Sequence, residues 1–265
     1  VRDHPARLRA DVLIASDGPR LNAGRPTLFL GARGSLRFDL TVALREKASH
    51  SGHWGGLLRD PAIDLAHAIA AMSDLSGALL VPEWRPGSLT PDIRARIAEC
   101  GLGDVAGEID AGWGEPGLSP AERVFGWNSL SVLALELGNP GAPVAAIAPK
   151  ARARCQLRFV VGTDPDDIVP ALRRRLDAMG LTRVVVTAVD GSLSPATRLD
   201  PSDRWVTFAA GSIAQTTGAP PDILPNIGGS IPNHIFANVA QLPTLWIPHS
   251  YRGCQQHAAD EHLPL

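Results

Sequence analysis

The feature that most constrains the fold is an ordered alternation of two hydrophobic periods between residues 35 and 190. Residues 35–44 (SLRFDLTVAL) alternate apolar and polar, the two-residue period of a half-buried strand. Residues 61–72 (PAIDLAHAIAAM) change to helical spacing, with Asp60 placed as N-cap and Pro61 at the first helical position. Strand patterns return at 130–137 (LSVLALEL) and 151–161 (ARARCQLRFVV). Residues 164–179 (DPDDIVPALRRRLDAM) read as a helix, acidic in its first turn and arginine-rich near its end, as the macrodipole favours. Pro170 inside it implies a kink or a start after Pro170. Residues 183–189 (RVVVTAV) are again a strand. Strand, helix, strand, strand, helix, strand is the split βαβ, ferredoxin-like order. Residues 83–126, rich in Pro and Gly, interrupt it as an elaborated insertion with a helical pattern near 91–99.

The flanks read differently. Residues 11–16 (DVLIAS) form a short buried strand ending in Asp17-Gly18-Pro19, and 28–30 form a second. A helix at about 202–217, a glycine-rich loop at 226–232, a strand at 244–247 and a histidine-rich loop follow. Residues 1–32 and 193–265 therefore look like two pieces of one α/β domain. The ferredoxin-like unit, residues 33–192, is inserted between them.

Composition narrows the function classes. With 265 residues, 45% of them hydrophobic, the chain can bury a sizeable core. A formal net charge of −2 offers no footprint for nucleic acid or an anionic membrane surface. No apolar run approaches the roughly 18–20 residues of a membrane span. Cys100, Cys155 and Cys254 are far apart and form no CxxC pair. They fit a reducing compartment and a cytoplasmic location, and read as buried or idle thiols.

Several residues could carry chemistry. Asp17 follows a buried strand, where α/β sheets gather ligands, although Asp-Gly-Pro is also a plain turn. His50 lies in a loop with Ser51 and nearby glycines; it could polarise a carbonyl oxygen, or simply be solvated. The run 226–232 (NIGGSIP) could hold a carboxylate through successive backbone N–H groups, Gly229 and Ser230, or be a tight turn before a helix capped by Ser230 or Asn233. Arg158, a charge within an apolar strand, needs an anion: a substrate carboxylate or an acidic side chain of the protein. Residues 249–262 hold three His, one Asp, one Glu and one Cys, a ligand-dense loop without HExxH or zinc-finger spacing.

Taken in order, DVLIASDG at 11–18, GARG at 31–34, HSG at 50–52 with Gly55-Gly56, LRFV at 157–160 with Asp164-Pro165, GGSIP at 228–232 and QHAADE at 256–261 resemble one family. It is the dinuclear zinc family of carnosinase-type dipeptidases, aminoacylase, acetylornithine deacetylase, succinyl-diaminopimelate desuccinylase and glutamate carboxypeptidase. The resemblance implies an α/β zinc-peptidase catalytic domain, here partial, with an inserted ferredoxin-like dimerisation or lid domain. It implies that Asp17 and His257 are metal ligands, one on each of two zinc ions, with cobalt or manganese as alternatives. It implies that His50 reaches the partner subunit's active site of a homodimer and steadies an oxyanion. It implies that Arg158, Gly229 and Ser230 hold the terminal carboxylate of a small dipeptide or N-acyl amino acid. The family's His-x-Asp, bridging Asp and Glu-Glu motifs are not among the residues before Asp17. The chain by itself is therefore expected to be inactive and to bind zinc poorly. Ala146 stands where the family usually has Thr, and Asn226-Ile227 where carnosinase-like members have Arg-Glu. Two other readings stay open. One is a non-catalytic dimerising or ligand-binding fragment. The other is an aminohydrolase of the same family acting on another small amide.

Overall fold

The computed structural model describes residues 8–103, 109–255 and 258–263. A small sheet is built from both flanks, in the order β1 (Leu13–Ala15), β12 (Thr244–Trp246), β2 (Thr27–Phe29), β11 (Asp222–Leu224). β1 and β12 are parallel, with Leu13 opposite Thr244 and Ala15 opposite Trp246. β2 runs antiparallel to β12 and parallel to β11. On one face, Leu28, Leu30 and Leu245 bury against Val206 and Ala209 of α6 (Arg204–Thr217). Asp203 caps α6 by accepting from the Trp205 amide, and Gly218 ends it in the left-handed region. On the other face, Phe29, Leu224 and Trp246 pack against α3 (Pro91–Cys100) and α4 (Pro120–Phe125) through Ile93, Ile97, Ala121 and Phe125.

That second layer is a finding about the insertion. Its helices were expected as an embellishment of the lid, yet they cover the flank sheet. Ile93 and Ile97 stand four residues apart on one helical face and bury in one cluster with Phe29, Leu224 and Trp246 of the flank sheet. β11 itself went unread. Its three residues lie between prolines, too short to show a period. A two-residue ladder of β3 (Gly31–Ala32) with β10 (Thr197–Arg198) leads into the larger sheet.

The larger sheet has the order β6 (Ser129–Glu136), β8 (Lys150–Phe159), β4 (Gly34–Ala43), β9 (Val185–Ala188), with every pair antiparallel. Residues 35–44 and 183–189 therefore contribute to one sheet, as the ferredoxin-like order requires. α2 (Pro61–Ala70) and α5 (Ile168–Ala178) cover one face. Phe38, Leu40, Val42, Ala153, Cys155 and Leu157 pack there against Leu65, Ala68, Leu172 and Leu176. Trp84 closes this core, its indole N–H donating to the Ile168 carbonyl at 3.0 Å. α5 starts later than the 164–179 pattern, yet ahead of Pro170 rather than after it. Pro170 is tolerated only in a first turn, so the helix opens at Ile168, and Asp164, Asp166 and Asp167 precede it rather than filling its first turn.

The opposite face of this sheet is polar. Asp39 is bridged there by Arg152 and Arg154, whose hydrogen bonds lower its carboxyl pKa to about 2. A depressed carboxylate stabilises the fold above its unfolded value, about 3.9, and loses that contribution as pH falls through the folded value. Asp39→Asn should lower the melting temperature at pH 7, and the gap to wild type should close as pH drops from about 4 toward 2. A gap that stays constant over that range would show that the bridge contributes no linked stability.

β6 is an edge strand. It carries a bulge between Val132 and Ala134 and leaves Val132, Leu133 and Leu135 exposed. A short ladder of β5 (Ser49–His50) with β7 (Ala146–Ile147) and one helical turn, α1 (Ser51–Trp54), stand at one end of the sheet. Sequence pattern had suggested only a loop at 50–56.

Candidate functional site

The parallel pairing of β1 with β12 brings together two loops far apart in sequence. The Ser16 hydroxyl lies 2.6 Å from Nδ1 of His249. The Ser250 hydroxyl donates to the Gly18 carbonyl at 2.8 Å, and the Arg20 amide donates to the Ser250 carbonyl at 2.8 Å. Asp17 caps its own turn, accepting from the Gly18 amide at 2.7 Å, and is exposed. Gly18 has φ of +75°, and a Cβ there would lie 2.2 Å from Cδ1 of Ile227. The left-handed backbone conformation favours glycine. The Asp17 turn thus rests directly against the glycine-rich loop.

That loop is anchored to the strand leading into the lid. The Ile227 amide donates to the Gly31 carbonyl at 2.9 Å, and the Arg33 amide donates to the Ile227 carbonyl at 3.4 Å. Asn233 is not a helix cap. It is buried, donating to Thr197 and Thr244 hydroxyls and accepting from the Trp246 indole. Ser230 meets the lid: its hydroxyl accepts from Nη1 of Arg158 at 3.2 Å. A Cβ on Gly229 would meet nothing within 4 Å, so its backbone faces open space.

Behind Arg158 lies a second guanidinium. Arg33 is buried, and its Nη2 donates to the Ser129 hydroxyl at 2.7 Å and to the Arg158 carbonyl at 3.2 Å. Desolvation, followed by the charge of Arg158, pushes its pKa down to about 10. Among the described residues neither Arg33 nor Arg158 forms an ion pair with a carboxylate. Two adjacent arginines without an acidic partner form a site poised for an anion. Arg33 was not singled out in the sequence. A lone Arg between glycines looks like a loop residue, and only burial distinguishes it.

His50 is elsewhere. It pairs with Ala146 in the short ladder, and its Nδ1 accepts from the Gly52 amide at 3.1 Å, capping α1. The His53 ring lies 4.7 Å away between centroids. β7 leads into the Lys150 end of β8, whereas Arg158 stands at the other end. At about 3.4 Å per residue, Lys150 to Arg158 covers roughly 27 Å. The fold therefore brings Asp17, Gly229, Ser230 and Arg158 into one region and sets His50 at the far end of the lid. His257 lies outside the described residues.

No group of three or more His, Cys, Asp or Glu able to hold a metal occurs among the described residues. Asp17 and His249 stand on neighbouring loops, short of the three protein ligands a catalytic zinc takes. The residues described here do not by themselves fit a dinuclear zinc site. His249 was legible only as part of a ligand-dense stretch; its place just past the carboxyl end of β12 is the sharper signal. His262 of the same stretch is engaged with the Tyr251 hydroxyl at 2.8 Å. All three cysteines are free, and burial pushes the Cys100 thiol up to about 11 and the Cys155 thiol up to about 12, which disfavours the reactive thiolate at those two positions. No helix among the described residues is long and apolar enough to cross a membrane.

No family model matches the chain. Over 72 residues it is 38% identical to the Beta-Ala-His dipeptidase of Rattus norvegicus, covering 27% of this chain and 15% of that protein. Over 244 residues it is 24% identical to the Cysteinylglycine-S-conjugate dipeptidase of Corynebacterium striatum, covering 86% of this chain and 50% of that one. Among solved structures, an M20 family metallo-carboxypeptidase from Sulfolobus solfataricus superposes with a TM-score of 0.80 at 23% identity, over 99% of this chain and 61% of the other. Human carnosine dipeptidase 1 gives 0.76 at 19% identity, over 99% and 57%. The matches span between 15% and 61% of these relatives' own length, so the chain corresponds to a part of each. Its sequence relatives are dipeptidases, the solved structures it superposes on include an M20 family metallo-carboxypeptidase and carnosine dipeptidase 1, and the chain carries their fold.

Proposed function

We propose that this chain is part of a metal-dependent amidohydrolase of the M20 type, a dipeptidase, carboxypeptidase or N-acyl-amino-acid deacylase, acting on a small substrate with a free carboxylate. The observation that carries this reading is the Arg158 guanidinium, hydrogen-bonded to Ser230 of the glycine-rich loop and without an ion-pair partner among the described residues. Arg158 and the Ser230 hydroxyl hold the substrate's carboxylate, and the open backbone at Gly229 lets it approach. That grip fixes where the scissile amide lies. Asp17 and His257 are the metal-ligating residues of this reading, and two zinc ions, or cobalt or manganese, are the metals. Such metals would supply a nucleophilic hydroxide and a Lewis acid for the carbonyl.

His50 donates to the developing oxyanion in a second copy of the chain, because it lies too far along the lid to serve its own Arg158. The homodimer forms through the lid. β6 offers an unpaired edge and exposed Val132, Leu133 and Leu135, the kind of edge that recruits another strand. The location is the cytoplasm, and neither nucleic acid nor a membrane surface is a partner.

The few ligand-type side chains gathered among the described residues favour one alternative, a non-catalytic ligand-binding and dimerising unit. One experiment addresses both. Dipeptides and N-acyl amino acids are compared with their C-terminal amides in the intact enzyme with zinc. The free acids should be turned over at least about tenfold more efficiently, as expected for a charged hydrogen-bonded contact. Equal treatment of acid and amide would overturn the carboxylate site. The same preference in binding without any turnover would favour the alternative.

A further inference from the structure

A separate cavity of about 200 Å³ lies where the chain after α2, the insertion and the start of β6 meet. Its wall includes Arg33, Trp113, Glu115, Val124, Trp127 and Ser129. That is smaller than the roughly 300–1,000 Å³ that holds a drug-sized ligand, so it selects a smaller molecule. Among the described residues five buried side-chain polar atoms lack a hydrogen-bond partner, and three of them belong to this wall: Arg33 Nε, Trp127 Nε1 and Glu115 Oε2. Buried polar groups are satisfied almost everywhere, so a cluster of three calls for an occupant.

The chemistry of the three is specific. Arg33 and Trp127 are donors, and Glu115 is an acceptor. Arg33 is only 5% exposed. Glu115 already pairs through Oε1 with Nη2 of Arg85 at 3.3 Å, which fixes the carboxylate in place. Arg123 stiffens the same wall, its Nε donating to the Glu115 carbonyl at 3.1 Å and its Nη1 to the Trp113 carbonyl. The Trp113 indole lies across Gly77, where a Cβ would approach it to 2.7 Å, and it forms an outer, 59% exposed wall.

We propose that this cavity is a second binding site, for a free α-amino acid. The ligand's carboxylate accepts from Arg33 and Trp127, its ammonium donates to Glu115, and its side chain rests on the Trp113 indole. The site adjoins the Arg158–Ser230 pair without including it. Val124 on the wall faces Gly228, where a Cβ would sit 3.1 Å from its Cγ1, and Arg33 Nη2 donates to the Arg158 carbonyl. The site is independent of hydrolysis, and its test reads binding alone.

The 265-residue chain is titrated with L-leucine, acetate and isobutylamine, followed by tryptophan emission and calorimetry. L-Leucine should bind saturably, at least about tenfold more tightly than acetate or isobutylamine, since each carries only one of its two charged hydrogen-bonding ends. Trp127→Phe, which keeps the ring and removes the donor, and Glu115→Gln should each weaken leucine about tenfold or more with unchanged far-ultraviolet dichroism. Trp113→Phe should reduce the emission change, and Arg158→Ala should leave leucine binding intact. Acetate binding as tightly as leucine, no saturable binding, loss of binding in Arg158→Ala, or full binding in both folded Trp127→Phe and Glu115→Gln would each overturn the proposal.

Discussion

His50→Ala is expected to lower turnover of the intact enzyme about 10²-fold or more, the usual cost of losing an oxyanion donor. In the structure the exposed His50 side chain accepts from the Gly52 amide and lies near the tilted His53 ring, while its backbone pairing with Ala146 does not depend on the imidazole, so removing the ring disturbs little of the fold. Loss of a one-turn helix cap costs about 1 kcal/mol, too little to unfold a domain with the core described here. A large kinetic loss would therefore report on chemistry. The location makes a second, sharper expectation. If His50 serves the opposite subunit, His50→Ala and Arg158→Ala chains are both nearly inactive alone but complement each other in a mixed dimer. One site of that dimer has Arg158 and the partner subunit's His50, while the other has neither. Random reassociation of a two-fold dimer would restore about one quarter of wild-type activity. Unchanged turnover in His50→Ala, or no recovery on mixing subunits that do exchange, would remove His50 from the mechanism.

Arg158→Ala should lower kcat/KM by about 10²-fold or more, on the order of 3 kcal/mol, for substrates with a free carboxylate. The guanidinium reaches across from β8 to Ser230 and faces no carboxylate of the described protein, so its charge is available to a ligand. The loss should fall mainly on KM, because the grip acts on the ground state and the transition state alike. Arg158→Lys should recover part of it, since an ammonium keeps the charge but not the planar fork. The diagnostic readout is discrimination. Arg158→Ala should treat a dipeptide and its C-terminal amide nearly alike, whereas wild type distinguishes them. A variant that loses activity on acid and amide equally would make Arg158 a structural residue of the lid instead.

These expectations rest on features with different visibility in the sequence. The lid was legible because its strands and helices are long enough to declare a period. The ten residues of β4 and β8 alternate cleanly, and α2 carries both an Asp60 cap and Pro61. The small sheet was harder. β1, β2, β11 and β12 have three residues each, and β11 left no pattern at all. Asp17 could be singled out because a turn after an apolar run marks a strand's carboxyl end. Nothing in the order of residues said that His249 would lie against Ser16, 233 positions away.

What the sequence determined by itself was local: hydrophobic period, capping residues and turn chemistry, all set by neighbours within a few positions along the chain. From these came the ferredoxin-like order and the short list of chemically capable residues. What only the tertiary structure decided was which surfaces meet. The insertion helices cover the flank sheet because Phe29, Leu224 and Trp246 offer the apolar area that Ile93 and Ile97 must bury. Arg33 became notable only when folding removed it from water beside Arg158 without supplying a carboxylate. Burial and proximity of charges depend on long-range packing, and a residue's own sequence neighbourhood carries no record of it.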